Sequence, residues 1–226
     1  MVSGRLRKRK RRPMTERTLP KGYYLATISS PHFDVSTPKD RAIFYSGVDN
    51  SVKRMVTGAD GKNYRLAGIA SGSAGFMHLE GTPGGKWLMD QDLSHLSPKD
   101  VGAVWEAASV KYAKGASGNV TAYVEGAKEE GVFRSKELRA LILNPNVSSL
   151  NNKDMEVLRF GASMDSSPNG TKEAFSMLLG DGKFKAAKED LAAAKESTRF
   201  LERGRNIGEA PKMKAHEPLR RRVVVG

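Results

Sequence analysis

Cysteine is absent from this chain. That excludes a disulfide framework, thiolate catalysis and a Cys-based zinc site. Histidine is scarce. His32, His78, His95 and His216 stand far apart with no ligand spacing, so no protein-held metal is expected. No apolar run approaches the roughly 18 residues that a membrane-crossing helix needs. The basic N-terminus has no apolar segment behind it, which argues against a Sec signal peptide. No G-x-x-x-x-G-K-[ST] surrounds Gly84-Gly85, so there is no P-loop, and no Rossmann fingerprint is present. A G-x-S-x-G elbow is missing from any strand-to-helix turn, and no internal repeat is visible.

Acidic residues are also in deficit, 25 against 38 Lys and Arg, for a net charge of +13. Such a balance invites a nucleic-acid reading. The excess is uneven, however. Residues 1–12 are dominated by Lys and Arg with no acid, and Arg220-Arg221-Arg222 adds to it near the end. The expected organisation is a basic flexible arm over 1–22, one domain over 23–203 and a basic tail over 204–226. A single domain of this size buries enough surface to need no staples.

The most legible stretch runs from His78 to Gly126. Thr82-Pro83-Gly84-Gly85 reads as a turn, because Pro presets φ and Gly permits positive φ. Ser97-Pro98-Lys99-Asp100 reads as a helix start with a Ser cap and Pro at the first position. Val101, Val104, Trp105, Ala108 and Tyr112 then recur at helical spacing, and Gly115 to Gly118 ends the helix. Val120, Ala122 and Val124 alternate with Thr121 and Tyr123, the signature of a strand with one face buried.

Before it, Tyr23 to Ile28 reads as a strand or turn. Ile43-Phe44-Tyr45 reads as a strand that would bring Tyr45 and Ser46 to its C-terminal end, where ligands bind in open α/β sheets. Residues 48–75 read as a weak helix followed by a Gly/Ser/Ala-rich segment, Gly68 to Gly75, that is a loop or a tight packing site. After it, Val132-Phe133 resumes an extended pattern, Arg139 to Leu143 is short and apolar, and Asn144-Pro145-Asn146 stops it. Val147 to Leu150 fits a short extended piece. Residues 151–168 include the apolar Met155 to Phe160 and then a Ser/Pro/Asn/Gly loop, and helical patterns follow from Thr171 to Leu179 and from Phe184 to Leu201.

Among the carboxylates, Glu106 follows Trp105 on the helix and should face solvent. Glu80 and Glu137 sit at the ends of runs that read as extended. Two separated acids with Trp87 and Trp105 between them are what N-glycosidic chemistry needs. One carboxylate stabilises or captures a ribosyl oxocarbenium centre, aromatic faces hold the planar base, and a second acid tunes the fate of the intermediate. A Trp on the core side of a helix is also ordinary packing, so spacing leaves both readings open.

The ordered set Phe44-Tyr45-Ser46, His78-Leu79-Glu80-Gly81-Thr82 with Gly85, Val104-Trp105-Glu106-Ala107-Ala108-Ser109 with Tyr112-Ala113, Val120 to Gly126, and Val132-Phe133 to Glu137-Leu138 resembles the ADP-ribosyl cyclase / NAD glycohydrolase family. That family carries an aromatic-Ser pair, a T-L-E-x-T segment, a W-x-x-x-S-x-x-[FY]-A helix, a strand and a late F-x-x-x-E segment in this order. The resemblance covers about residues 40–150 and is similar to microbial members used as NAD-depleting toxin or effector domains. It implies an α/β (or α+β) fold with a short, central, mostly parallel sheet packed with helices. By that resemblance Glu137 is the catalytic glutamate at the ribosyl centre. Glu80 contacts the nicotinamide amide and biases hydrolysis against cyclisation. Trp105 walls the nicotinamide pocket and Ser109 hydrogen-bonds the ribose or phosphate. Tyr45 stands where the family usually has tryptophan, beside Ser46, and Thr82 and Trp87 complete the candidate substrate site.

The resulting expectation is an NAD glycohydrolase that releases nicotinamide and mostly ADP-ribose, with NAD as substrate and no metal or bound cofactor. An inhibitory immunity protein is the expected partner of a toxin, acting in a cytoplasm or reaching one by a non-Sec route. Two rivals stand beside it. One is a nucleic-acid-binding protein acting through its basic tails, whose affinity would fall steeply with salt. The other is a catalytically idle interaction domain on the same fold.

Overall fold

The computed structural model describes residues 18–46, 55–57, 63–65, 75–167 and 170–207, with backbone alone at 55–57, 63–65 and 200–207. The basic segments 1–17 and 208–226 lie outside the described residues, as does most of the Gly/Ser/Ala-rich segment.

The first described element is a helix, α1, over Lys21–Ser29, not the expected strand or turn. Pro20 (φ −70) leads into it with a fixed φ. Tyr24 and Ile28, one turn apart, then bury one face. Lys111 closes the far end by donating from Nζ to the carbonyls of Ile28 and Ser30, at 2.8 and 2.6 Å. Lys21, expected in the basic arm, is part of this helix and pairs with Asp100 at 2.7 Å.

The sheet carries the strands β1 (Ile43–Tyr45), β4 (Gly118–Tyr123), β5 (Val147–Leu150) and β6 (Lys153–Asp154) in the order β1-β4-β5-β6. The first two pairings are parallel and the last antiparallel. This is the expected α/β class with a mostly parallel sheet. The register sets Ile43 against Thr121 and Tyr45 against Tyr123, so both strands end on one rim. Gly118 opens β4 at φ +73, where a Cβ would lie 2.0 Å from Asp40 Oδ1. Only glycine lets that carboxylate reach the Asn119 N–H at 2.6 Å. A separate antiparallel pair, β2 (Met55–Thr57) with β3 (Asn63–Arg65), stands where a weak helix was expected. Met55-Val56-Thr57 is β-branched in part, and strand pairing supplies what no helical stripe does.

Helices cover the sheet. Pro83–Met89 forms α2 and Pro98–Gly115 forms α3. Thr82 to Gly85 is therefore a helix start, not a turn: Thr82 Oγ1 accepts from Gly85 N at 3.0 Å, and Pro83 takes the first position. In α3, Ser97 caps Asp100 N at 3.1 Å, while Val104, Ala108 and Tyr112 are buried as the stripe requires. A π turn over Phe133–Glu137 then runs directly into α4 (Leu138–Leu143), replacing the expected extended run. Phe133, Leu138 and Leu141 are buried at helical spacing. Each such side chain contributes about 1.5–3 kcal/mol of burial, which outweighs the β-propensity of Val132-Phe133. The last helices are α5 (Met155–Ser163), α6 (Lys172–Leu179) and α7 (Asp181–Ile207). Buried Asn144 binds the end of α3 by donating from Nδ2 to the carbonyls of Ala113, Lys114 and Ala116. Among the described residues, no helix is long and apolar enough to cross a membrane.

Candidate active site

Glu80 rides on a 3₁₀ turn, Leu79–Gly81. The approach to that turn is bonded to the start of β1. Met77 N donates to Arg41 O at 2.8 Å, and Ile43 N donates to Met77 O at 3.1 Å. Tyr112, from α3, seals the junction from below: its hydroxyl accepts from Ile43 N at 3.1 Å and donates to Met77 O. Downstream, Thr82 Oγ1 donates to Leu79 O at 2.6 Å while capping α2. A Cβ at Gly85 would meet Leu79 O at 1.9 Å, so glycine there lets α2 seat against the turn.

Two donors converge on one Glu80 oxygen. His78 Nδ1 lies 2.8 Å from Oε2, and the Tyr45 hydroxyl donates to the same atom at 3.3 Å. Desolvation pushes this carboxyl up, but the His78 ring, the Glu80 N–H and Tyr45 together outweigh it and hold Glu80 below its ordinary value. Tyr45 itself is pushed up to about 12 by burial and by the charge of Glu80.

Glu137 is the last residue of the π turn. The widened turn closes through Leu138 N to Phe133 O, a geometry that recurs at functional sites. Phe133 anchors it, with its ring 6.1 Å from Phe44 and 6.4 Å from Phe175. Burial raises the Glu137 carboxyl to about 7; the Ser109 hydroxyl bonded to it works against that rise and the charge of Glu80 adds to it. The two acids thus differ in kind. Glu80 is a fixed anion, whereas Glu137 is poised near neutrality, the pattern that separates roles in acid–base and glycosidic sites.

Both acids line one cavity of about 150 Å³, together with Tyr45, Ser46, His78, Ser109, Tyr112 and Phe133. A cavity of about that size accepts a single six-membered ring. A larger groove of about 770 Å³ shares Tyr45, His78 and Glu80 and continues past Phe76, Met77, Lys86 and Met89.

The other candidates fall elsewhere. Thr82 is fully buried and spends its hydroxyl on the turn and the cap. Trp87 packs against Tyr24 and Phe33, at 6.4 and 5.9 Å between ring centroids, and not in the cavity. Trp105 sits one turn before Ser109 on α3, half-buried against the core, and the cavity wall does not include it. Glu106 is partly exposed and pairs with Lys136 at 3.3 Å. Neither Glu80 nor Glu137 ends a strand; both belong to helical turns. Sequence reasoning missed His78 as a partner of Glu80 and Tyr112 as the floor of the site. The available signals were His78 two residues before Glu80 and Tyr112 one turn after Ser109. Among the described residues, no group of His, Asp and Glu could hold a metal ion.

No family model matches the chain, and no curated protein does. Solved structures are similar over part of it, among them three of cyclases. The Aplysia cyclase complexed with substrate NGD and product cGDPR is 20% identical, with a TM-score of 0.35 over 51% of this chain and 49% of that one. A point mutant of an ADP-ribosyl cyclase is 21% identical, with a TM-score of 0.36 over the same shares. An ADP ribosyl cyclase complexed with N1-cIDPR is 20% identical at a TM-score of 0.35, again over 51% and 49%. The match spans about half the length of each of these proteins.

Proposed function

We propose that the chain is an NAD glycohydrolase. The observation that carries this reading is the pair of unlike carboxyls, Glu80 anionic and Glu137 poised near 7, facing one ring-sized cavity. In the proposed reaction the nicotinamide ring enters the cavity and the rest of the dinucleotide lies in the adjoining groove. The N-glycosidic bond breaks and its electron pair leaves with the ring nitrogen, which loses its positive charge. Positive charge then develops on the anomeric carbon. Ionised Glu137 stabilises it, and Ser109 orients that carboxylate. Glu80, held by His78 and Tyr45, faces the departing amide. A water oxygen bonds to the anomeric carbon and releases a proton, giving ADP-ribose.

Electrostatic stabilisation in a site shielded from water is often the largest catalytic contribution, and both acids have the placement for it. The role that suits this activity is depletion of a target cell's NAD, held in check by an inhibitory partner. That role rests on the sequence resemblance. The test is incubation of purified protein with NAD and chromatography of nicotinamide and ADP-ribose. Release of neither would end the proposal.

A further inference from the structure

We infer that His78 is a positioning residue. It fixes the Glu80 carboxylate at the cavity mouth and thereby sets how the ribosyl intermediate divides between water and intramolecular attack. The inference rests on the glycohydrolase reading for the reaction, but not for the His78–Glu80 pairing itself.

His78 stands where a capping side chain is expected, just before the 3₁₀ turn, at φ −99 and ψ 169, yet it makes no cap hydrogen bond. Its ring turns to Glu80 instead, with Nδ1 2.8 Å from Oε2. An ionised carboxylate only accepts, so Nδ1 carries the proton in this contact. The ring is largely buried, its side chain 13% exposed against 34% for Glu80. Its centroid lies 6.0 Å from that of the Tyr45 ring, with the two planes tilted by 58°. Gly81 leaves room on another side, since even a Cβ there would stand 3.5 Å from His78 Cδ2 and Nε2. The imidazole thus lies between the end of β1 and the 3₁₀ turn, with its Nδ1 donor directed at Glu80. A largely buried donor aimed at a carboxylate is one way to preorganise that acid.

The two fates differ in the atom that bonds to the anomeric carbon. In hydrolysis it is a water oxygen, which then loses a proton. In cyclisation it is a ring nitrogen of the substrate's own adenine, and no water is consumed. A fixed anion at the mouth orders water there and limits the folding-back of the adenine. A loosened Glu80 does neither, so the cyclic product should gain.

The test uses His78→Ala, His78→Asn and His78→Gln in the full chain, each also combined with Glu80→Gln. The Asn amide nitrogen falls near the position of Nδ1, whereas the Gln nitrogen falls near Nε2. With NAD as substrate, His78→Ala should raise the cyclic-to-linear product ratio severalfold. His78→Asn should restore it and His78→Gln should not. In the Glu80→Gln background, His78→Ala should change nothing further, because interacting residues are non-additive. An unchanged ratio, equal effects in both backgrounds, or equal rescue by Asn and Gln would overturn the inference.

Nitrogen-detected NMR of the imidazoles, with His78 assigned by its loss in His78→Asn, reads the pairing without turnover. His78 should be protonated at Nδ1 in wild type and lose that preference in Glu80→Gln. A wild-type His78 protonated only at Nε2 at neutral pH would refute the pairing outright. Absence of NAD cleavage by wild type would refute the enzyme reading and the partition role with it, and the NMR result would still decide the pairing.

Discussion

Replacing Glu137 with Gln should stabilise the fold while abolishing the reaction. The carboxyl is raised from 4.5 to about 7 by burial. A group whose pKa is higher folded than unfolded favours the folded state fully only below its unfolded value. That contribution is lost as pH rises from about 4.5 through about 7. At about 1.4 kcal/mol per pKa unit, the ionised carboxylate costs wild type at most about 3 kcal/mol at pH 8. Glutamine carries no charge at any pH and keeps an oxygen for the Ser109 hydroxyl. Glu137→Gln should therefore melt with wild type near pH 4 and above it at pH 8. For a domain of this size 1 kcal/mol moves Tm by about 2–4 °C, so a gain of up to about 6–12 °C is expected. Turnover should fall by roughly two to four decades, since a neutral amide does little for a cationic centre. Calorimetry at both pH values beside nicotinamide release on the same samples gives the answer. A variant that melts below wild type at pH 8 would show that Glu137 is not a desolvated acid. A stabilised variant that still turns over would remove it from the mechanism.

Glutamate 137 must be ionised to stabilise the ribosyl cation, so kcat/KM should rise with pH and level off above about 7; a rate that falls through that range would make Glu137 the acid instead. Glu80→Gln should keep part of the NAD cleavage and raise the cyclic fraction, read by product chromatography against wild type. Asn144→Ala strips three carbonyls at the end of α3 of their shared donor and should cost about 2–3 kcal/mol in denaturant unfolding, since buried groups left unpaired cost about 1–3 kcal/mol. Truncation after residue 17 should leave Tm nearly unchanged, whereas removal of 18–20 as well should lower it, because Leu19 packs on the core and its carbonyl lies 2.6 Å from His95 Nε2.

Legibility followed the range of the forces involved. Helix α3 was readable because its signals are local: a Ser-Pro start and an apolar stripe that repeats within one turn. β4 was readable through the alternation of Val120 and Ala122, and β1 through Ile43-Phe44-Tyr45 between polar breaks. Helix α1 was misread because Tyr23-Tyr24-Leu25 favours a strand in isolation. Its helical register appears only when Tyr24 and Ile28 find the face of α3. Thr82 to Gly85 was misread because Pro followed by glycines serves a turn and a helix start equally. What decides is Gly85 lying against Leu79 O, a contact outside the segment. The π turn has no period of its own, so Val132 to Glu137 passed for an extended run.

The candidate site shows the same division more sharply. Residue order singled out Tyr45, Ser46, Glu80, Ser109 and Glu137, and these five line one cavity. It also offered Trp87 and Thr82, whose composition suits a site but whose neighbours use them for packing and capping. No spacing rule separates an aromatic wall from an aromatic core residue, since both bury a ring. The ionisation of Glu137 lay further still from the sequence. Its poise near 7 arises from burial by β1, α3 and the π turn together, with Ser109 on one of these elements and the charge of Glu80 reaching it from a fourth. A change in any one of those elements would move it. The chemistry proposed here therefore depends on how four segments close on one another, and the His78–Glu80 contact is the part of that closure held within a single turn.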